Sequence, residues 1–222
     1  CYLNKEYVRG YKEDNILGGL DLYSASKASA ELIFKAYSHS FFNFQKKFGF
    51  ATVRAGNVIG GGDWSSNGII PDCVRSIRMN KNLIIRNPKS TRPWQHVLDV
   101  INGYTQLAIK LNRNSKLNGE AFNFGPDNTN LKVIDVLNRM KFYWPKINWQ
   151  IKKKDKFKEN KLLHLNSLKA KKYLKWSTVL NFDNSIKFTV DWYKNYLKNK
   201  KNIYKYSLSQ ISQYKKILEK NK

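Results

Sequence analysis

Helical and extended patterns alternate along this chain. From Tyr23 to about Phe48, Ala28, Leu32, Ala36 and Phe41 recur on one side of a helix, with Ser24 as its cap and Gly49 as its stop. Phe50–Ala55 is a short apolar run that predicts a buried strand. Glycines at 56, 60, 61, 62 and 68 make the next stretch a loop. Ile69–Met79 has helical spacing with Pro71 in its first turn. Leu83–Ile85 and Trp94–Val97 predict short strands around a turn containing Pro88, and Ala121–Phe124 a strand ending in Gly125-Pro126. Leu98–Leu111 predicts a helix with Ile101, Tyr104, Ala108 and Leu111 on one face. Further helices are predicted over Leu131–Tyr143, Asn166–Leu174, Asp183–Leu197 and Ser207–Leu218. Val133, Val136, Leu137 and Met140 form the face of the first of these, and Leu208, Ile211, Tyr214 and Leu218 that of the last. Residues 1–22 read as a loop and 151–160 as a charged connector. No internal repeat is present.

This alternation argues an α/β layered fold with a largely parallel sheet. The strands are few for an open parallel sheet, so further strands are expected ahead of Cys1, which is itself not the Met of a natural start. The 222 residues suffice for one large domain or two small ones. No run approaches the roughly 20 apolar residues of a spanning helix, and the start lacks a signal-peptide layout. Two cysteines exclude a disulfide framework and point to a reducing, cytoplasmic setting. His39, His96 and His164 stand far apart without Cys or clustered carboxylates, so no metal site is expected.

The formal charge is +25, carried by 33 Lys and 8 Arg against 16 acids. Such an excess suits nucleic acid or an anionic substrate. A compositional drift toward Lys and Asn is the competing explanation, and no aromatic-interleaved basic stripe accompanies the charge.

The sharpest chemical feature is Tyr23-Ser-Ala-Ser-Lys27. Four residues on a helix bring two side chains to one face, a turn apart. An ammonium beside a phenol favours the phenolate and turns an otherwise inert hydroxyl into a usable acid or base. An ordinary Tyr and Lys on a helix would show the same spacing, so context decides. After this helix come a strand and Arg54-Ala-Gly-Asn57-Val-Ile-Gly60, then Arg92-Pro-Trp-Gln-His96-Val-x-Asp99 and Asn123-Phe-Gly-Pro126. In that order these resemble the extended short-chain dehydrogenase/reductases that act on nucleotide sugars. Cys1-Tyr2, the Gly-Gly before Asp21, Gly60-Gly-Gly-Asp-Trp64, Leu165-Asn-Ser-x-Lys-Ala170 and Asp191-Trp-Tyr193 make the likeness closest to the CDP-glucose 4,6-dehydratases among them. One departure is Lys175, where relatives usually have Gly before the Trp.

The resemblance implies a Rossmann-like α/β fold, with a nucleotide-binding portion over 1–57 and 93–125 and a smaller mixed α/β substrate-binding portion over 58–92 and 126–222. It implies NAD as cofactor and CDP-glucose as substrate. Tyr23 takes the proton of the glucose 4-hydroxyl while hydride leaves C4, and Lys27 holds the nicotinamide ribose. The 4-ketone acidifies C5, water is lost from C5 and C6, and hydride returns to C6. Asn57 lies near both cofactor and sugar, and Arg92 offers its fork of donors to a pyrophosphate. His96 and Asn123 are further substrate-site candidates, though packing and strand-end bonding would serve equally well. Arg75 and Arg78 read as a solvated helix face. Relatives pair the Tyr-bearing helix across a two-fold axis, which implies a homodimer. In the family a Thr or Ser, an Asp-Lys pair and the glycine-rich phosphate cradle precede the Cys-Tyr dipeptide, so these 222 residues alone are expected to be inactive and to bind NAD poorly. A 4-epimerase or a dehydratase for another nucleotide shares Tyr23 and Lys27 and stays open, as does a basic nucleic-acid-binding module.

Overall fold

The computed structural model describes residues 1–42, 48–127, 131–152 and 162–221. Its named strands pair only in parallel: β1 (Thr52–Ala55) with β5 (Ala121–Phe124), β2 (Asn57–Ile59) with β4 (Trp94–His96), and β3 (Leu83–Ile85) with β6 (Trp149–Ile151). The helices are α1 (Leu22–Tyr37), α2 (Ile69–Arg78), α3 (Val97–Arg113), α4 (Val133–Tyr143), α5 (Leu168–Leu174), α6 (Phe182–Lys198) and α7 (Ile203–Lys220). Parallel pairing needs crossover connections, and the intervening helices supply them.

Several elements depart from the sequence pattern for local reasons. β2 lies inside the glycine-rich loop, because Asn57–Ile59 is short enough for its glycine flanks to hide it. Gly56 joins β1 to β2, and a Cβ there would stand 2.5 Å from the Pro93 carbonyl oxygen. β3 and β4 do not pair with each other, and β6 was hidden by the lysines that follow it. Most of the expected charged connector lies outside the described residues, as do residues 43–47 near the end of the predicted 23–48 helix. The cap of α1 is Asp21, whose side chain accepts from the Ser24 N–H at 2.9 Å; Ser24 is the capped residue. The inner seam of α1 runs through Ser24, Ala28, Glu31 and Phe34, leaving Leu32, Ala36 and Phe41 exposed. On α3 the buried positions are Asp99, Val100, Gly103 and Leu107, with Ile101 and Ala108 turned outward. A Cβ on Gly103 would meet the Phe124 ring at 2.5 Å, so this glycine is what lets α3 close on β5.

The core has two main parts. Val136, Leu137 and Met140 of α4 pack with Cys73 and Val74 of α2, Ile186 and Val190 of α6, and the β3, β4 and β6 strands. Leu107, Phe122, Phe124, Ala170 and Trp176 form the second part around α3, β5 and α5. Residues 1–20 form no helix or strand, yet Tyr2 and Tyr11 stack at 5.1 Å in a small cluster with Leu165. Lys175 caps α5 with φ of +58°, the left-handed conformation that glycine adopts most freely, which fits the Gly that the resemblance led one to expect there.

A buried carboxylate joins the C-terminal elements. Asp99 Oδ1 accepts from the Val179 N–H at 2.8 Å and the Tyr214 hydroxyl at 2.9 Å, and Oδ2 accepts from the Leu180 N–H at 3.2 Å. The Trp176 indole donates to the Asp99 carbonyl at 3.0 Å. Burial pushes the Asp99 carboxyl above the usual range against the pull of its three donors. No helix among the described residues is long and apolar enough to cross a membrane.

Candidate active site

Tyr23 stands one residue into α1, just past the cap, and is 71% exposed. Lys27 follows one turn later, its ammonium 5.6 Å from the centre of the Tyr23 ring. The predicted pairing on one helix face is therefore formed, and both groups open to the outside of the described structure.

Asn57 begins β2, in register with Trp94, directly after the end of β1. Arg92 is half-buried on the approach to β4; its backbone N–H donates to the Leu131 carbonyl at 3.2 Å and its Nη1 to the Thr91 carbonyl at 2.8 Å. Both stay on accessible ground. His96 and Asn123 are placed differently. His96 is 2% exposed at the last position of β4, where Nδ1 accepts from the Leu98 N–H at 3.2 Å and caps α3. Its ring meets Phe188 edge-on at 5.6 Å, and Nε2 is buried with no partner among the described residues. Burial alone lowers its pKa to about 4. Asn123 is fully buried: Nδ2 donates to the Tyr11 carbonyl at 2.8 Å and the Asn166 carbonyl at 3.2 Å, while Oδ1 accepts from the Tyr2 hydroxyl at 2.7 Å. His96 thus caps α3 from the last position of β4, and Asn123 ties β5 to Tyr2, Tyr11 and Asn166.

The neutral imidazole has a consequence for acid stability. The unfolded state takes up a proton below pH 6.5 that folded His96 refuses until about pH 4. This contribution is complete above 6.5 and is lost as the pH falls through that window, reaching about 2–3 kcal/mol at the lower end. His96→Asn keeps a capping acceptor and removes the titration. Urea unfolding at pH 7 and pH 4.5 is expected to show a smaller acid loss in His96→Asn than in the parent, by about 2 kcal/mol; equal losses would exclude His96 as the source.

Other groups around the site were not evident in the sequence. Arg54, on β1, is 9% exposed at its side chain and pairs with Glu31 of α1 at 2.8 Å. Its Nη1 donates to the Tyr2 hydroxyl at 2.7 Å and the Glu13 carbonyl at 2.9 Å. Arg75 is only partly solvated: it donates to the Trp64 carbonyl at 3.1 Å, the Ser65 carbonyl at 2.8 Å and the Asp72 carboxylate. Trp64 lies against Tyr193 and Tyr196 with ring centres 5.3 and 5.0 Å away, and the Tyr193 hydroxyl donates to the Asp63 carbonyl at 2.6 Å. The Gly60-Gly-Gly-Asp-Trp64 loop is thus clamped from α2 and α6. The only sequence signal for these partners was that Arg54 and Trp64 belong to the motifs. Among the described residues, no three His, Cys, Asp or Glu side chains converge as a metal set would.

Parallel strands with covering helices, and a Tyr-x-x-x-Lys pair opening one of them, define a Rossmann-like fold of the extended short-chain dehydrogenase/reductase type. Residues 11–125 match the NAD dependent epimerase/dehydratase family, and the chain belongs to it. A CDP-glucose 4,6-dehydratase of Salmonella typhimurium (strain LT2) is 39% identical over 204 residues, which cover 89% of this chain and 57% of that protein. The crystal structure of dTDP-glucose 4,6-dehydratase from Bacillus anthracis in complex with NAD matches with a TM-score of 0.72 at 23% identity, covering 90% of this chain and 59% of that one. UDP-glucuronic acid 4-epimerase from Bacillus cereus, in complex with UDP-glucuronic acid and NAD, matches at 0.71 and 20%, covering 84% and 56%. The chain spans less than two thirds of the length of each of these relatives.

Proposed function

We propose that this chain carries the catalytic helix and the sugar-nucleotide portion of an NAD-dependent 4,6-dehydratase that converts CDP-glucose to CDP-4-keto-6-deoxyglucose and water. The observation that carries this reading is the open Tyr23–Lys27 pair at the head of α1, in a chain 39% identical to a CDP-glucose 4,6-dehydratase. The donor set fits a nicotinamide ribose: a phenol and an ammonium one helical turn apart and both accessible. NAD bound there supplies reversible hydride acceptance. Tyr23 takes the proton of the sugar 4-hydroxyl as C4 becomes a ketone, and Lys27 holds the ribose hydroxyls. The ketone acidifies the C5 hydrogen; that proton and the 6-hydroxyl leave as water, and C6 then gains hydride while C5 regains a proton. Oxidation at C4 and reduction at C6 balance within one turnover.

Arg92 faces the pyrophosphate of the substrate and Asn57 the sugar, while His96 and Asn123 serve the site by fixing the strand ends beneath it. The nucleotide-binding portion comprises 1–57 and 93–125, and the substrate portion 58–92 and 126–222. A second copy covers the exposed apolar side chains of α1, giving a homodimer in the cytoplasm. The nucleotide preference is tested by comparing kcat/KM for CDP-, dTDP- and UDP-glucose in the intact protein with NAD. CDP-glucose is expected to lead by at least about tenfold, about 1.4 kcal/mol of discrimination; equal values would remove the cytidine assignment.

A further inference from the structure

The inner seam of α1 is poor in apolar residues. Ala28 is its single fully buried position among the helix residues, Phe34 reaches the Phe50 ring only at 6.2 Å, and the remaining inward positions are Ser24 and Glu31. A helix seated on so little apolar area takes its rotation from its directional contacts. Glu31 supplies these. Its Oε2 accepts from Arg54 Nη2 at 2.8 Å and from Thr52 Oγ1 at 2.9 Å, both on β1, and its side chain is 13% exposed. Charge-assisted bonds in such a half-dry setting are short and orienting. Tyr23, Lys27 and Glu31 follow one another at intervals of four, so they lie along a single row of the helix surface. A rotation or slide of α1 that strained the Glu31 contacts would carry Tyr23 and Lys27 with it.

Arg54 also anchors the other side of the arrangement. Its Nη1 holds the Tyr2 hydroxyl and the Glu13 carbonyl, and its guanidinium lies 5.0 Å from the centre of the Tyr2 ring. The Tyr2 hydroxyl in turn donates to Asn123 on β5. One guanidinium thus fixes the helix and the N-terminal segment to the same strand, three residues before Asn57.

We infer that the Glu31–Arg54 pair is a positioning device for this site, setting the rotation of α1 that aims Tyr23 and Lys27 at the reacting sugar and the nicotinamide ribose. The inference rests on the dehydratase reading. Neither residue touches substrate. Misplacement of a reacting group by about 1 Å costs on the order of a hundredfold in rate without weakening substrate binding in proportion.

The test uses the intact protein with NAD. Glu31→Ala is expected to lower kcat about 30- to 100-fold while KM for the sugar nucleotide changes less than about threefold. Glu31→Gln, which keeps an acceptor oxygen for Arg54 and Thr52, is expected to retain kcat within about threefold of the parent. Amide hydrogen exchange, read in the absence of substrate, is expected to accelerate over residues 24–35 in Glu31→Ala while β5 stays protected. Should Glu31→Ala fail to fold, Glu31→Asp, one methylene shorter, is expected to lose about tenfold in kcat with the melting temperature little changed. Parental kcat in the Ala or Asp variant overturns the inference. So do equal losses in Ala and Gln, which would make charge alone the requirement, and so does faster exchange spread over the whole chain. Tyr23→Phe, measured alongside, separates the two readings: a fully active Tyr23→Phe protein defeats the proton-transfer role of Tyr23 on which the inference rests, whereas an inactive one beside an unimpaired Glu31→Ala defeats only the positioning role.

Discussion

Tyr23→Phe in the intact protein should lower turnover of CDP-glucose by about 10²- to 10⁴-fold, the range that positioned proton transfer contributes, with sugar-nucleotide binding changed far less. The substitution removes one oxygen from a side chain that is 71% exposed, so no core contact is lost and stability should stay within about 0.5 kcal/mol. The loss belongs to kcat because the phenol is needed while the 4-hydroxyl proton is leaving and contributes little to holding the ground state. Lys27→Met should also lower turnover, and should raise the concentration of NAD needed for half-saturation, since the ammonium is assigned to the ribose. Steady-state kinetics over a range of both ligands distinguishes the two variants. A Tyr23→Phe protein within threefold of the parent would show that another group takes the proton.

The second large effect concerns stability. Asp99→Ala leaves the Val179 and Leu180 N–H groups and the Tyr214 hydroxyl without the acceptor that all three share. Asp99 is fully buried, so water does not replace it readily. Orphaning buried donors costs about 1–3 kcal/mol each, and they relax as a group, so a loss of about 3–5 kcal/mol is expected. For a chain of this size that is a fall of roughly 10 °C in Tm. Tyr214→Phe removes only one of the donors and should cost about 1 kcal/mol. Because Tyr214 is one of the two buried residues of α7, with Gln210, limited proteolysis of Asp99→Ala should cut within residues 203–220 before the rest of the chain. A melting temperature within 2 °C of the parent would mean that α7 docks through its other contacts, among them the Gln210 bond to the Phe188 carbonyl, without needing Asp99.

Much of this architecture could be read from side-chain spacing, and the exceptions have physical causes. The inward face of α4 was legible because Val136, Leu137 and Met140 are large, apolar and spaced for one face. The face of α3 was displaced by one position because its closest approach is made by Gly103, which carries no apolar signal at all. The seam of α1 was misjudged for a related reason: Ala28, Ser24 and Glu31 face inward, while the larger Leu32 and Phe41 stay outside. β2 and β6 are three residues each, too short for an alternation to show against glycines or lysines. The pairing of Tyr23 with Lys27 was readable because helix geometry alone sets it. The bonds from Arg54 to Tyr2 and Glu31 were not, since they join residues 52 and 23 positions apart and depend on how α1 and the N-terminal segment meet β1. The same holds for Asn123, whose partners Tyr2 and Tyr11 lie more than a hundred residues earlier. Its motif drew attention to it, but only the fold shows that its hydrogen bonds are taken up inside the protein.

The most direct measurement of the proposed chemistry is proton NMR of the product formed when the intact protein and NAD act on CDP-glucose in deuterated water. The account predicts a 4-keto-6-deoxy sugar with a C6 methyl signal and solvent deuterium at C5. Accumulation of CDP-galactose, with C5 still carrying protium, would instead establish a 4-epimerase and contradict the account.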